Sequence, residues 1–389
     1  MTSRPAFSSR VPRSLEHNRI ARAMRARDRR RPLIDLTVTN PTTVGIAYPP
    51  DMLHALGSVG ALAYEPSAFG LESARAAVSR DYARRGVAID AARVVLTSST
   101  SEAYSLLFKL LCEPSGDAVL VPTPSYPLFD HLTALDGVTP LPYRLDYHGR
   151  WTLALHDLDL AWTPGVRAVL VVSPNNPTGS LVQPDEFEGL AARCARRGAA
   201  LIVDEVFADY VLAPVVQVGL PMECLTFRLG GLSKSAGLPQ VKLGWIAAAG
   251  PDALVCEALE RLEVICDAYL SVSTPVQTAA STLIASGAQV RQRILDRVRT
   301  NLATLASLAS THPAIHLLPV DGGWSAVLRV PSTRSEEDLV LELLERDDVL
   351  VHPGFFFDFA HEAFLVVSLL PDPTAFAEGA RRLLERADA

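Results

Sequence analysis

The sequence has few of the features that mark membrane proteins, nucleic-acid-binding proteins or disordered chains. No apolar run approaches the roughly 18 residues that a membrane-spanning helix needs. The 36 basic residues are outnumbered by 43 acidic ones and only 7% of residues are aromatic, so neither a membrane nor a nucleic-acid partner is expected. With 49% hydrophobic and 20% charged residues over 389 positions, the chain is expected to be a soluble protein of one to three packed domains.

Cysteine is also sparse. The five cysteines form no C-x-x-C pair and fall mostly in apolar stretches. This pattern is typical of reduced thiols buried in a core rather than of disulfides or zinc sites. The sequence therefore predicts a cytoplasmic protein.

Several catalytic signatures are missing as well. Neither G-x-G-x-x-G nor G-x-x-x-x-G-K-[ST] occurs, so a nucleotide site fits poorly. The G-x-S-x-G elbow of many serine hydrolases is absent too. His352 and His361 stand near Asp358 and Glu362, but their spacing matches no metal-ligand pattern, and no metal is expected.

The N-terminus differs in composition from the rest of the chain. The first 31 residues contain ten arginines against only Glu16 and Asp28. An arginine-rich, acid-poor start is typical of transit peptides, but no apolar signal core or small-residue cleavage site follows here. Ile20 and Met24 instead indicate an amphipathic helix over residues 18–30 with a solvated basic face.

The middle of the chain alternates short apolar runs with helical patterns, which predicts an α/β fold around a mostly parallel sheet. The predicted strands are residues 94–96, 118–121, 168–172 and 200–203, and the predicted helices are 101–112, 125–134 and 184–197. Beyond residue 250 long helices and further strands indicate a smaller α+β domain. We expect a large domain over residues 46–285 and a small domain built from residues 1–45 and 286–389.

Polar residues follow several predicted strands, at the sheet edge where α/β proteins place their sites. Residues 97–102 form a small-polar cluster that predicts either an anion cradle or an ordinary helix cap. Residues 173–179 form a rigid Pro- and Gly-containing turn that holds Asn176 at a strand end. Asp204 follows a buried strand, and Lys234 lies among glycines and serines, where it is either a solvated loop residue or a desolvated amine.

Each of these signals is weak alone, but together they supply an amine, a carboxylate, an amide and a phosphate cradle on neighbouring strand ends. This set fits pyridoxal 5'-phosphate, which needs a lysine, an acid at its pyridine nitrogen, a donor at its phenolic oxygen and a phosphate site. We therefore expect a pyridoxal-phosphate enzyme.

The motifs resemble those of the class I/II aminotransferases, the fold-type I pyridoxal-phosphate enzymes related to aspartate aminotransferase. Asn-Asn-Pro-Thr-Gly at 175–179, Asp-Glu-Val at 204–206 and Ser-Lys at 233–234, followed by Gly237 and Gly244, occur in the family's order and spacing. The resemblance covers nearly the whole chain. It implies a large domain with a mostly parallel sheet and a smaller α+β domain.

The resemblance also implies a role for each site residue. Lys234 would bind the cofactor covalently and move the substrate proton, and Asp204 would keep the pyridine nitrogen protonated. Asn176 would donate to the phenolic oxygen, and Tyr126 would stack on the ring. The implied phosphate ligands are Ser99, Thr100, Ser101, Ser233 and Lys242. Tyr64 matches the tyrosine that reaches the phosphate of the neighbouring subunit, which implies a homodimer with shared active sites.

Three positions near the cofactor depart from the family's pattern. Lys242 stands where arginine is usual, so a point charge replaces a bidentate fork. Gly231 replaces a common Ser or Thr phosphate ligand. Phe207 replaces a tyrosine that donates to the phenolic oxygen, which leaves that role to Asn176.

The fourth departure concerns the substrate. Val366 occupies the position of the arginine that grips the substrate α-carboxylate, a loss of roughly 3 kcal/mol or more across two charged hydrogen bonds. Arg329 on the preceding strand, or Arg10 or Arg13 in the N-terminus, could replace it. Asn40, in the loop after the N-terminal helix, matches a substrate-lining position.

These observations predict a homodimeric aminotransferase that moves an amino group from an amino-acid-like donor to a 2-oxo acid by a ping-pong mechanism. The partners are expected to be a small-molecule amino donor and an oxo-acid acceptor. Because Val366 replaces the usual arginine, a pyridoxal-phosphate lyase, decarboxylating or cyclising enzyme acting on an unusual amine is the alternative. A more remote alternative is an aminotransferase-like regulator.

Overall fold

The computed structural model describes residues 7–12, 14–28, 30–213 and 222–389. In chain order, the α-helices of these ranges are α1 (Arg19–Ala26), α2 (Glu72–Arg84), α3 (Thr100–Leu111), α4 (Leu128–Asp136), α5 (Leu155–Ala161), α6 (Pro184–Arg197), α7 (Leu232–Ser235), α8 (Asp252–Asp267), α9 (Thr274–Ala309), α10 (Glu336–Arg346) and α11 (Pro373–Asp388). The strands are β1 (Ile34–Asp35), β2 (Val94–Thr97), β3 (Ala118–Thr123), β4 (Thr139–Tyr147), β5 (Trp151–Leu153), β6 (Val166–Val172), β7 (Ala200–Asp204), β8 (Thr226–Gly231), β9 (Gly244–Ala249), β10 (His316–Leu317), β11 (Ser325–Arg329), β12 (Val349–Leu350), β13 (His352–Pro353) and β14 (Phe364–Ser368). None of the helices in these ranges is long and apolar enough to cross a membrane.

An eight-stranded sheet carries most of the site. Its strand order is β2-β9-β8-β7-β6-β3-β4-β5, and β8, β7, β6, β3 and β4 run parallel. The parallel strands are continuous Val/Ile/Leu/Ala runs because helices cover both faces, and every residue of β7 is buried. Parallel strands also end at the same edge, so β6 and β7 bring Val172 and Asp204 side by side. The predicted α/β class and its mostly parallel sheet are confirmed.

A four-stranded antiparallel sheet, β10-β11-β14-β13, lies on the other side of the site. A third sheet, of two strands, pairs β1 with β12, so the N-terminal segment joins this C-terminal part of the chain. Helix α9 runs without a break through the predicted boundary at residues 285 and 286. Its buried stripe of Val290, Ile294, Val298 and Leu305 packs in one core with residues of both regions. The division into two domains therefore stays a prediction.

Residues 349–353 form two short strands, β12 and β13, because the chain passes from one sheet to another there. Two predicted helices differ from the structure. The N-terminal helix ends at Ala26 rather than near residue 30, since Arg27 turns into extended backbone and its guanidinium binds Asp348. The helix predicted from residue 125 begins only at Leu128, after Pro127 at its N-cap, which leaves Tyr126 in a loop.

Candidate active site

A cavity of about 270 Å³ opens where the strand ends of the large sheet face β11 of the small one. It brings together most of the residues that the sequence singles out. Its lining consists of Thr39, Ser98, Ser99, Thr100, Ser101, Tyr126, Phe129, Val172, Asn176, Asp204, Val206, Phe207, Gly231, Ser233, Lys234, Pro239, Lys242, Leu243, Gly244, Trp324 and Ser325. Lys234, Lys242 and Asp204 are the charged side chains among them.

Lys234 is the amine of this cavity. It lies on α7, a single turn that follows directly from β8, so the strand fixes its position at the sheet edge. Its carbonyl oxygen accepts a hydrogen bond of 2.6 Å from the Tyr210 hydroxyl. Desolvation lowers the pKa of the Lys234 ammonium, while the negative charge of Asp204 opposes that shift. A lowered pKa favours a neutral amine, which is the nucleophilic form.

Asp204 is the buried acid, at the last position of β7. Desolvation raises the pKa of its carboxyl to about 6. Two hydrogen bonds of 3.0 Å, from the Tyr104 hydroxyl and the Val206 N–H, favour the ionised form and limit the rise. The carboxylate is thus held in one orientation and kept ionised near pH 7.

The turn after β6 positions Asn176. Its neighbour Asn175 is buried and binds Pro124 and Thr178, which anchors the turn internally. Gly179 closes the turn with φ +70°, and a Cβ there would lie 2.7 Å from the Gly322 carbonyl oxygen. Asn176 is left to face the cavity, where its Oδ1 accepts a hydrogen bond of 3.5 Å from the Ser325 hydroxyl.

A cluster of hydroxyl groups and one ammonium forms one end of the cavity. It lies at the N-terminus of α3, where unpaired backbone N–H groups and the helix dipole favour a negative charge. Ser99 is also the N-cap of α3, since its hydroxyl accepts the Glu102 N–H at 3.1 Å. Ser99 therefore caps the helix and also lines the cavity, so the helix-cap alternative is observed and the anion cradle stays a prediction. Lys242 faces the cluster from the loop before β9, with an exposed side chain.

Three residues that the sequence proposes for the substrate do not line the cavity. Asn40 uses its side chain to bind Thr42, and its neighbour Thr39 lines the cavity instead. Arg329 is exposed at the end of β11 and does not line the cavity. Arg10 binds the Leu135 carbonyl oxygen on α4. Arg13 falls outside the described residues, and no arginine among the described residues lines the cavity.

Val366 and Tyr64 also lie outside this cavity. Val366 is 2% exposed and belongs to an apolar cluster with Val327, Phe357 and Phe359. Tyr64 is 71% exposed and borders a separate hollow next to Gln277. The position where an arginine is usual is therefore filled by core packing.

Several residues that complete the site are not indicated by the motifs. Tyr104, one turn into α3, donates to Asp204 and so orients it. A signal for it does exist, because Tyr104 follows Thr100 by four residues and therefore lies on the same face of the helix as the polar cluster. Trp324 and Ser325 come from the small sheet, after a Gly-Gly pair at the start of a strand. Nothing local to that segment shows which cavity it borders.

The donor set fits pyridoxal 5'-phosphate. The cavity holds an amine, a buried carboxylate for the pyridine nitrogen, an amide for the phenolic oxygen and an anion cradle with an ammonium group. Tyr126 and Phe129 add aromatic rings to the wall. Site and sheet topology together define the class of fold-type I pyridoxal-phosphate enzymes.

The chain belongs to the aminotransferase class I and II family, whose family model matches residues 34–383. It is accordingly a pyridoxal-phosphate-dependent enzyme that transfers amino groups, as the sequence predicts. Its substrates are small amino-acid and oxo-acid molecules.

The chain is similar to an alanine aminotransferase of Mycobacterium tuberculosis, with 27% identity over 369 residues that span 90% of this chain and 84% of the relative. It is 24% identical to a glutamate-pyruvate aminotransferase of Escherichia coli K12, over 87% of this chain and 86% of the relative. Among solved structures, an Escherichia coli aminotransferase shares the fold with a TM-score of 0.86 at 22% identity, covering 98% of both chains. An alanine aminotransferase of Pyrococcus furiosus superposes with a TM-score of 0.84 at 23% identity, covering 93% of this chain and 94% of the other. None of these four relatives is a lyase.

Proposed function

We propose that the enzyme moves the amino group of a small amino acid, with alanine or glutamate as the first candidates, onto a 2-oxo acid in a ping-pong reaction. The convergence of Lys234, Asp204 and Asn176 with the anion cradle in one cavity carries this proposal. The names of the relatives from Mycobacterium and Escherichia supply the candidate donors. As enzymes of this kind serve amino acid metabolism, we place this chain there.

Each residue has a role in the proposed reaction. The Lys234 Nζ would hold the cofactor covalently and, once free, would take and return the substrate proton. The Asp204 carboxylate would keep the pyridine nitrogen protonated, and the Asn176 amide would donate to the phenolic oxygen. Tyr126 would stack on the ring, while the hydroxyls of the cradle and the Lys242 ammonium would hold the phosphate. When bound, pyridoxal phosphate supplies the electron sink that stabilises negative charge on the substrate carbon.

The substrate carboxylate meets uncharged donors in this proposal. Since no described arginine lines the cavity, the hydroxyls of Thr39 and Ser325 are the nearest alternatives on the substrate side. Neutral hydrogen bonds are about half as strong as those to a guanidinium, so we expect a high KM for simple amino acids. Thr39→Val and Ser325→Ala should each raise KM several-fold with a smaller change in kcat.

The test of the function separates transfer from elimination. The purified holoenzyme is mixed with L-alanine alone, and the absorbance of the cofactor is followed until it stops changing; 2-oxoglutarate is then added and glutamate is measured. Transfer predicts conversion of the cofactor to its amine form and recovery on addition of the oxo acid. Product formation with the cofactor unchanged, or no reaction with any donor of an amino-acid panel, would contradict the proposal.

We also propose a homodimer. Val59 and Leu62 are 83% and 87% exposed, and they lie beside the exposed Tyr64 on a segment that packs against α9. Clustered exposed apolar side chains are typical of interaction surfaces. Leu62→Glu should shift the protein from dimer to monomer in light scattering and weaken cofactor binding, whereas Leu160→Glu, at an exposed leucine on α5, should change neither.

A cytoplasmic location is proposed on the cysteines. All five are free, and Cys112, Cys194, Cys224 and Cys266 are buried. Free thiols in this number are typical of a reducing compartment. Fractionation of the host cell, with the enzyme detected by antibody, tests this location.

A further inference from the structure

Two aromatic rings face the Lys234 amine, and a third packs against one of them. The ring centroid of Trp324 lies 5.0 Å from the Lys234 Nζ, and that of Phe207 lies 5.7 Å away, with the amine over the faces of both rings. Trp324 meets Phe207 and Tyr210 edge to face, at centroid distances of 5.4 and 5.0 Å. Both distances to the amine fall within the roughly 6 Å over which a ring face attracts a cation.

Both sheets hold this arrangement in place. The Tyr210 hydroxyl binds the main chain of Lys234, and the Tyr210 carbonyl oxygen accepts the Gly323 N–H at 2.9 Å. The Leu369 N–H binds the Trp324 carbonyl oxygen at 2.7 Å. The backbone around Trp324 is thus held by the residue after β14 on one side and by the loop after β7 on the other.

The contact that Trp324 makes with Lys234 uses the face of its ring and not its indole N–H. Trp324 is 1% exposed, and its Nε1 has no hydrogen-bond partner among the described residues. Buried tryptophans usually pair this N–H, and phenylalanine would supply an apolar ring without leaving a donor unpaired. Tryptophan does, however, present the strongest of the aromatic faces to a cation.

Other groups also act on the charge of Lys234. Asp204 favours the ammonium form, and burial disfavours it. The further titratable groups on the elements around it are Tyr104 on α3, Tyr126 before α4, Glu205, Asp209 and Tyr210 after β7, Arg228 on β8, Lys242 before β9, Arg291 on α9 and Tyr48. Arg228 pairs with Glu205, and Arg291 pairs with Asp209 and binds the Ser235 carbonyl oxygen. Of these, Asp204 is the carboxylate that lines the cavity, so the ring faces add to a single anion.

We propose that Trp324, with Phe207, is a positioning residue that holds the free, protonated Nζ of Lys234 between two ring faces during proton transfer. Lys234 must carry the substrate proton as an ammonium in a buried site, where water solvates it poorly. The ring quadrupoles add to the effect of Asp204 and stabilise that cation without a second anion, which would bind the amine too tightly. This inference rests on the role proposed for Lys234.

The chain makes a direct measurement practical because it contains only three lysines, Lys109, Lys234 and Lys242. Apoenzyme labelled with ¹³C and ¹⁵N at lysine should give three side-chain NMR signals, which Lys109→Arg and Lys242→Arg assign. The pH titration of each signal then reports the pKa of each amine without any turnover. A cation–ring contact of ordinary strength corresponds to a change of about 1 in the Lys234 pKa.

We expect Trp324→Leu to lower the Lys234 pKa by about 1, because the ammonium loses a ring face, and Trp324→Phe to lower it less. Trp151→Leu is the matched control, since Trp151 is also buried with an unpaired Nε1 but stands in another apolar cluster. An unchanged or raised Lys234 pKa in Trp324→Leu, or an equal drop in Trp151→Leu, would overturn the inference.

A second measurement covers the case in which Trp324→Leu fails to fold. Replacement of all tryptophans by tetrafluorotryptophan keeps the ring shape but removes the negative charge of the ring face. The Lys234 pKa should then fall in the otherwise unchanged protein and stay constant in Trp324→Phe. Equal behaviour of the two proteins would refute the role of the ring. Failure of the proposed function is distinguishable, because it appears in the assay with L-alanine and 2-oxoglutarate, whereas the Lys234 pKa is measured on the apoenzyme without turnover.

Discussion

The two walls of the cavity differ in chemistry. The wall formed by the strand ends of the large sheet carries Lys234, Asp204, Asn176 and the hydroxyl cluster, each oriented by a hydrogen bond or by a tight turn. The wall that faces it, at β11 and β14, presents Trp324 and Ser325 and has Val327 and Val366 buried behind them. Under the proposed function, the groups assigned to the cofactor are present on one wall, whereas the position assigned to the substrate carboxylate on the other is occupied by core packing.

The two walls also use burial differently. At Asp204, burial raises the pKa of the carboxyl and so disfavours its negative charge, while hydrogen bonds from Tyr104 and Val206 stabilise that charge. Keeping this carboxylate buried therefore costs folding stability. At Val366, burial removes apolar surface from water and stabilises the fold directly. Substitutions on the polar wall should therefore lower activity and can raise the free energy of unfolding, whereas substitutions on the apolar wall should lower the free energy of unfolding.

The largest effect is expected at the centre of the polar wall. Lys234→Ala removes the group to which both the covalent attachment and the proton transfer are assigned in the proposed function, so kcat should fall by about 10³-fold or more. Steady-state transamination assays and mass spectrometry of the reduced holoenzyme measure the two losses. Lys109→Ala, at a lysine on α3 that pairs with Asp136, should leave both unchanged. A Lys234→Ala protein with near-normal kcat would remove the distinction between the walls.

The next largest effect tests whether position 366 is closed. Val366→Arg places a charge in an apolar cluster without a partner, which should lower the free energy of unfolding by about 3 kcal/mol or more. Val366→Ile, which adds a methylene but no charge, should cost about 1 kcal/mol. Urea unfolding and kcat/KM for L-alanine measure the outcome. If Val366→Arg is as stable as the wild type and raises kcat/KM tenfold, the position is open to substrate and the comparison fails.

In contrast to Val366→Arg, Asp204→Asn on the polar wall should raise the stability of the apoenzyme. The folded pKa of Asp204, about 6, lies above the ordinary value of 3.8, so the unfolding free energy falls as pH rises from about 4 to about 6. Above pH 6 the loss amounts to up to about 3 kcal/mol, at 1.36 kcal/mol for each pKa unit. Asparagine does not titrate, so the apoenzyme variant should be more stable than the wild type at pH 7, by a margin that shrinks toward pH 4.

Chemical unfolding of both apoenzymes between pH 4.5 and 7.5 measures this margin. Asp51→Asn, at an exposed aspartate, should give a margin near zero at every pH. Cofactor affinity and kcat of Asp204→Asn should both fall. A variant that is less stable than the wild type at pH 7 would show that the carboxylate stabilises the apoenzyme, contrary to its desolvated position.

The polar wall could be predicted from the sequence because its residues follow continuous apolar strands in chain order. The cavity is lined by Ser99, Asn176 and Asp204, which follow predicted strands, and by Lys234. Helix α6 also has the predicted bounds. Residues that act from another element could not be found this way. Trp324 faces Lys234 only through tertiary packing, and in the N-terminal loop a shift of one residue separates Thr39, which lines the cavity, from Asn40, which does not.

The smallest effect concerns the strength of the anion cradle. Lys242 is exposed, has φ +60° and offers a point charge where a guanidinium would offer two parallel hydrogen bonds. Lys242→Arg should therefore tighten cofactor binding by up to about tenfold, the equivalent of roughly 1.4 kcal/mol for one further charge-assisted hydrogen bond. Fluorescence titration of the apoenzyme with pyridoxal phosphate measures the Kd, and Lys109→Arg should leave it unchanged. A weaker Kd in Lys242→Arg would mean that the cradle is fitted to lysine, so that the polar wall, like the apolar one, has been adapted in this chain.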